Sequence, residues 1–496
     1  MPDDKKGVFL DRLKESFVHS FAWKSAQSAI TLGMTFIIQI VLARILTPDD
    51  FGIVAIATTF MTLANTVIET SFSSSIIQRE KLEQSLISSV FYANLLLSLM
   101  VYAILFVIAP CIANFYQEPI LVPILRVQGL RIIFSGLYSI QQSFMNRKMR
   151  FKMMFFCGLA GTVAQAVVGF GMAYAGAGVW ALVYSTLAGC FVTGGAMILL
   201  EPWKPDLYFS MKQAKTALSF SSKILAIRVI RKVFYNIRVL AIGRVCSTEV
   251  LGYFNKGFQF PSTAMTVVDG SLTSVAFSSL SRLQNEREKM TSTLRQYVRV
   301  SMFLCVPMMV GMSMVAKSLV MVVLTEKWLD CVPFMQIICF TQLLVPLNVK
   351  TTAFEAIGKS GLSMKLHLSG IFLSIVLLFV SIPFGAYMMT FSGFVSSLVL
   401  QVAIVIETRK LLNYSVAEQL CDAACGLVPT IAMAIAVAML QQISCGYFVQ
   451  LCLSVLGGVV VFVLTAALTR NSVFFMIWNA AKQKIVGTKQ CRLKKR

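Results

Sequence analysis

Apolar stretches of about 20 residues, the length a helix needs to cross a bilayer, follow one another along this chain with only short polar breaks. They place helices at 19–45, 51–76, 85–110, 122–146, 152–174, 178–200, 214–243, 249–280, 296–325, 332–357, 362–385, 388–411, 420–440 and 446–469. That makes about fourteen spans, and the expected fold class is an all-α polytopic membrane protein. Three spans depart from plain hydrophobicity. In the first, Lys24, Gln27, Ser28, Thr31, Thr35 and Gln39 recur at three- and four-residue spacing, which lays them on one face of a helix. The seventh repeats this with Arg228, Arg231, Lys232, Tyr235 and Arg238, and the eighth carries Asn255, Lys256, Gln259 and Asp269 around Pro261.

An internal repeat organises these spans. Residues 42–76 and 242–276 align without a gap at an offset of 200: Arg44 falls on Arg244, Gly52 on Gly252, Phe60 on Phe260 and Glu69 on Asp269. One helix earlier, Ser20, Phe21 and Lys24 match Ser219, Phe220 and Lys223. Each half then holds six helices. An even number returns the chain to its starting side, so the halves are expected to form a parallel repeat about an axis along the bilayer normal. The expected limits are a cytoplasmic segment 1–18, an N-lobe 19–200, a cytoplasmic loop 201–213, a C-lobe 214–411, a helix pair 412–469 and a basic tail 470–496. A cavity between two such lobes is the expected substrate site, with alternating access by rocking.

Composition sharpens the class. Of 496 residues 57% are hydrophobic and only 13% charged, too few to cover a soluble surface. The net charge of +22 invites a nucleic-acid reading, but its placement argues against one. Basic residues collect in alternate loops, among them Arg147, Lys148, Arg150 and Lys152, then Arg282, Arg287 and Lys289, then the tail from Lys482 to Arg496. This is the positive-inside pattern, and it puts both termini in the cytoplasm. The N-terminal segment is amphipathic and carries no cleavage site of the signal-peptide kind. Most of the twelve cysteines lie inside apolar spans, where they serve as small packing residues.

Charges at membrane depth face protein or water and not lipid. A cavity lined by Arg and Lys with few carboxylates suits an anion, and the planar fork of Arg suits phosphate in particular. Lys24, Arg228, Arg231 and Lys256 are therefore the substrate-binding candidates, with Gln27 and Asn255 as further lining. The alternative for the hydroxyl-rich stripe of the first span is helix packing, and for cations near span ends, such as Lys223 and Arg238, snorkelling to headgroups. Glu69 and Asp269 either neutralise nearby cations or carry a coupling proton or sodium ion. Arg126, Arg131 and Gln141 on the fourth span, with Lys350 and Glu355 on the tenth, are weaker additions. Thr47, Pro48, Asp49 and Asp50 have a structural meaning, as cap and first turn of the second helix. The two histidines, His19 and His367, stand in no metal-binding spacing. Gly358-Lys359-Ser360 imitates the end of a phosphate loop, but Ala353 stands where that loop needs glycine. No metal, cofactor, ATP engine or enzymatic activity is expected.

Three stretches carry a resemblance: Ser20-Phe21-Ala22-Trp23-Lys24, the segment Leu42 to Gly52, and Gln141-Gln142-Ser143-Phe144 ahead of Arg147 to Arg150. Over residues 15–470 the chain resembles the polysaccharide flippases of the multidrug/oligosaccharidyl-lipid/polysaccharide (MOP) superfamily, of the lipopolysaccharide and colanic-acid exporter type. The resemblance implies two six-helix lobes around a cationic cavity. Its cargo is an undecaprenyl-pyrophosphate-linked oligosaccharide, moved across a bacterial inner membrane for O-antigen, exopolysaccharide or capsule synthesis. It also implies that the pyrophosphate meets Lys24, Arg228, Arg231 and Lys256, and that a polymerase and glycosyltransferases are partners. Two rivals stand beside it: a cation-coupled multidrug exporter of the same superfamily, and an integral-membrane enzyme acting on lipid-linked sugars.

Overall fold

The computed structural model describes residues 30–78, 83–284, 286–443, 445–479 and 482, and every regular element among them is a helix. In chain order these are α1 (Ile30–Ile45), α2 (Pro48–Gln78), α3 (Gln84–Tyr116), α4 (Leu121–Arg147), α5 (Phe151–Tyr174), α6 (Val179–Leu200), α7 (Met211–Val245), α8 (Thr248–Arg282) and α9 (Arg287–Met314). There follow α10 (Ala316–Val323), α11 (Cys331–Gln342), α12 (Val349–Ala356), α13 (Ser360–Ser381), α14 (Gly385–Leu412), α15 (Val416–Ala423), α16 (Leu427–Leu440) and α17 (Tyr447–Leu468). Ten helical segments among the described residues are long and apolar enough to cross a membrane. Neither α7 nor α8 is among them, although each runs 35 residues. Their polar content, not their length, sets them apart.

Several expected spans are broken in the structure. The ninth divides at Val315 into α9 and α10, and the thirteenth at residues 424–426 into α15 and α16. The tenth becomes α11 and α12 joined by a 3-10 turn at Val345–Asn348, where Pro346 removes a backbone donor. Between α13 and α14 Pro383 opens a similar turn, and Gly385 follows at φ +83°, a conformation that favours glycine.

By packing the chain divides into Met1–Gly252 and Tyr253–Arg496. The division falls inside α8 and leaves α7 with the first unit, where it runs along α2 and α3.

In the first unit α2 begins as its sequence dictates. The Asp50 backbone N–H donates to Thr47 Oγ1 at 3.3 Å, while the Thr47 backbone N–H and hydroxyl both donate to Asp50 Oδ2, at 3.0 and 2.7 Å. This is a reciprocal capping box built with aspartate. The cap recurs at α8, where the Val250 N–H donates to Ser247 Oγ at 3.2 Å. The two helix starts approach each other closely. A Cβ on Gly52 would fall on the Thr248 carbonyl, and one on Gly252 on the Pro48 carbonyl, so each glycine clears the backbone of the other segment. The Thr248 hydroxyl donates to the Asp49 carboxylate and, at 3.4 Å, to Glu118. Burial first, and then the neighbouring Asp49, raise the Glu118 carboxyl above the usual carboxylate range, against the Thr248 hydrogen bond.

Small and hydroxyl residues close the other seams, as expected where apolar surface alone gives helices no preference for each other over lipid. Asn94 Nδ2 donates to Ser139 Oγ at 2.8 Å between α3 and α4, with Gly136 fitted against Ser98. On α5 a Cβ at Gly161 would come within 2.7 Å of the Gly189 carbonyl of α6, so only glycine permits this approach. The 201–210 linker is strapped to the start of α3. Trp203 Nε1 donates to Gln84 Oε1 at 2.9 Å, and the N–H groups of Asp206 and Ser210 donate to Ser88 and Ser89 at 2.9 and 3.0 Å. At its head the buried Glu201 carboxylate pairs with Lys148 and, at 2.7 Å, with Arg150.

In the second unit α9 is the spine. Met290, Leu294, Val298, Met302 and Val306, spaced by four, pack on Leu347, Val349, Ala353, Leu412 and Tyr414. Asp422 of α15, fully buried, accepts from Arg295 Nε at 2.8 Å, Arg299 Nε at 2.5 Å and the Tyr414 hydroxyl at 2.7 Å. Burial, then the Asp422 hydrogen bond, push the Tyr414 phenol up.

The facing glycines give a direct check. Gly52→Ala and Gly252→Ala should each cost about 1–3 kcal/mol, the overpacking range, read as a lowered Tm of the purified protein. Gly171→Ala, whose Cβ meets open space, should leave Tm unchanged. An unchanged Tm for Gly52→Ala would contradict the close approach.

Candidate functional site

Arg228 is the middle residue of α7, and Arg231 lies one turn further along; both are exposed. Tyr235 continues the same face and is 66% exposed, with Lys232 and Arg238 half-buried beside it. Lys232 Nζ lies 5.8 Å from the centre of the Tyr235 ring. The spacing 228, 231, 235, 238 is that of a single helix face, while Lys232, expected on the same stripe, also lines a cavity against α2, α4 and α6. At the helix end Arg244 covers the Phe115 ring at 5.1 Å.

Lys256 is placed differently from the α7 cations. It is 2% exposed, inside the second unit, where its Nζ donates to Gln259 Oε1 at 3.0 Å and lies 5.9 Å from the Trp328 ring centre. Beside it Gly257 packs closely on α11, where a Cβ would fall 2.9 Å from the Cys331 carbonyl oxygen. Asn255 is half-buried on the adjoining surface. Asp269 is half-buried and is hydrogen-bonded by the Thr273 hydroxyl. Lys24 and Gln27 lie outside the described residues, as does the side chain of Glu69.

The weaker candidates divide. The Arg126 guanidinium stacks over Phe106 at 4.1 Å, Gln141 and Lys350 are buried, and Glu355 accepts from Ser363 at 3.0 Å. Arg131 instead lines an open-mouthed cavity of ≈ 240 Å³ between α2, α4, α6 and α7, together with Lys232, Gln128 and a row of α2 side chains from Thr58 to Thr66. Sequence reasoning missed this row. Its signal was present in Thr58, Thr62, Asn65 and Thr66, spaced by four and three, on a helix otherwise apolar.

Ten apolar helical segments, exposed cations at the middle of α7 and a polar cavity among helices mark a multi-pass membrane transporter. The polysaccharide biosynthesis protein family matches residues 41–333, more than half of the chain, and the chain belongs to that family. The lipopolysaccharide biosynthesis protein WzxC of Escherichia coli (strain K12) is 23% identical over 338 residues, 67% of this chain and 68% of that relative. The succinoglycan biosynthesis transport protein ExoT of Rhizobium meliloti (strain 1021) is 22% identical over 346 residues, 70% of each. Among solved structures, the lipid II flippase MurJ in an inward closed conformation superposes with a TM-score of 0.72 at 15% identity, over 91% of this chain and 99% of that one. An inward-facing MATE multidrug transporter gives 0.62 at 14%, over 77% and 94%. These likenesses show the fold.

Two substitutions separate packing from charge at Lys256. Lys256→Ala removes the stem beneath Trp328 and should cost about 2–4 kcal/mol as a core truncation. Lys256→Met refills the volume and should hold stability within about 1.5 kcal/mol. Equal damage from both, read as Tm, would show that the ammonium and not the stem holds this site.

Proposed function

We propose that this protein is a flippase that carries a lipid-linked oligosaccharide, of the undecaprenyl-pyrophosphate kind, from the cytoplasmic to the outer leaflet of a bacterial inner membrane for surface polysaccharide synthesis. One observation carries the reading: Arg228 and Arg231 stand exposed at the middle of α7, a 35-residue helix that this reading takes across the membrane. A cation in lipid at that depth costs about 2.5–3.5 kcal/mol on insertion scales, so these side chains face water, and two guanidiniums one turn apart make a receptor for an anionic phosphate head. The named activities of the relatives, lipopolysaccharide and succinoglycan biosynthesis, point to a glycan as the attached load. The lipid tail stays in the bilayer while the head crosses by alternating access. The reading includes fourteen spans, two six-helix lobes in parallel repeat plus a C-terminal pair, and both termini in the cytoplasm. It leaves to Glu69 and Asp269 either internal pairing or the binding of a coupling proton or sodium ion.

The MATE likeness supports a second reading, a multidrug exporter. Sites for cationic drugs rely on carboxylates and aromatic faces, and the α7 face presents cations, so the anionic load is preferred.

Liposomes containing the purified protein and a fluorescent lipid-linked oligosaccharide test this. The wild-type protein should expose the lipid to a membrane-impermeant quencher without changing it chemically. Arg228→Ala combined with Arg231→Ala should slow this at least about tenfold, the loss of one charge-assisted pair, at unchanged Tm. Chemical conversion of the lipid would make the protein an enzyme, and full speed in the double variant would remove these arginines from the site.

A further inference from the structure

We propose that the cavity inside the first unit is a subsite for one sugar ring of the transported glycan, an assignment that rests on the flippase reading. The cavity of ≈ 240 Å³ is the liquid share of about eight waters, room for a single ring, and its open mouth leaves the rest of a glycan outside. Met61 is the one apolar side chain among those lining it.

The lining offers donors and acceptors together. Thr62 Oγ1 donates back to the Thr58 carbonyl at 2.8 Å, Thr66 to the Thr62 carbonyl at 2.7 Å and Thr186 to the Val183 carbonyl at 2.8 Å. Their hydroxyl protons are thereby committed, so toward the cavity these threonines present acceptor lone pairs. Gln128 is 3% exposed, and its Oε1, like Oδ1 of Asn65, is buried with no hydrogen-bond partner among protein atoms. Both are acceptors in want of a donor. The same lining holds two donors, Lys232 Nζ and Arg131, whose Nε is also buried without a partner. Among the described residues no carboxylate lines the cavity.

Ligand classes can be weighed against that lining. A bare inorganic anion would satisfy Arg131 and Lys232 but would press against the threonine, Asn65 and Gln128 oxygens. An apolar drug would leave Asn65 Oδ1, Gln128 Oε1 and Arg131 Nε unpaired, which is costly for buried polar atoms. A sugar ring carries hydroxyls that each donate and accept, so one ring can answer both sets at once. The four helices that wall the cavity make it rigid enough to select among rings, which would give the carrier a preference for one position of the glycan beyond recognition of its phosphate head.

Two measurements on the full-length protein in nanodiscs and liposomes test the assignment. In saturation-transfer NMR, methyl glucoside, methyl galactoside and methyl glucuronide serve as probes. At least one should receive saturation from the wild-type protein, and the signal should fall about tenfold or more in Gln128→Leu combined with Arg131→Met, as expected for losing two buried hydrogen bonds. Inorganic phosphate should not displace it. Retention of signal in the double variant, displacement by phosphate, or no signal from any ring would overturn the subsite. In the liposome assay the same double variant should move the glycan-bearing lipid at least about tenfold more slowly, and an unchanged rate there would overturn the subsite while leaving the flippase standing. A wild-type protein that binds rings but moves no lipid would overturn the flippase reading instead. Should the double variant lose its fold by Tm, Thr62→Val with Thr186→Val removes acceptors at nearly constant volume and is held to the same outcomes.

Discussion

A charge placed in the middle of a hydrocarbon layer must find water, a partner or a way to the surface, and the cost of failing is several kcal/mol. That constraint separates the helices of this protein into two kinds. Ten segments are apolar enough to be surrounded by lipid, and their exposed surfaces carry Leu, Val, Ile and Phe almost throughout. The helices α7 and α8 are not. With α7 taken across the membrane, as the proposed function has it, Arg228 at its midpoint cannot snorkel, because some 25 Å of helix separates it from either end. Its exposure therefore implies an aqueous face, and the functional reading follows from this more than from any motif.

The same absence of a hydrophobic drive between helices explains how each unit holds together. The seams are made by glycines and hydroxyls that admit close backbone approach: Gly136 on Ser98, Gly161 on Gly189, Gly257 on Cys331. Outside the spans, ionic and polar ties take over, with Glu201 holding Lys148 and Arg150 and the linker strapped along α3. Where Pro346 and Pro383 interrupt helices, 3-10 turns take up the interruption and the chain continues.

Much of this was legible in the sequence, for identifiable reasons. The start of α2 is written in Thr47, Pro48 and Asp50, because capping is local chemistry. The polar face of α7 is legible because helical spacing alone fixes which side chains share a face. The recurrence of Gly52 at Gly252 was visible, and the structure supplies its cause in the mutual clearance of two carbonyls. What stayed hidden depends on tertiary neighbours. The breaks at Val315 and at residues 424–426 leave an apolar run unchanged in composition. The burial of Lys256 under Trp328 joins residues 72 positions apart, and nothing in either segment announces the other. The threonine row on α2 reads as ordinary packing until Arg131 and Lys232 join it in one cavity lining.

The most direct test of the central claim is the accessibility of the α7 face. In a background with the native cysteines replaced, single cysteines at 228, 231 and 235 would be exposed to a membrane-impermeant maleimide in sealed vesicles, with and without lipid-linked oligosaccharide. An aqueous, cargo-binding face predicts rapid labelling at all three positions and protection at 228 and 231 when the oligosaccharide is present. Labelling no faster than at the lipid-facing Val167, which is 66% exposed on α5, would contradict the account.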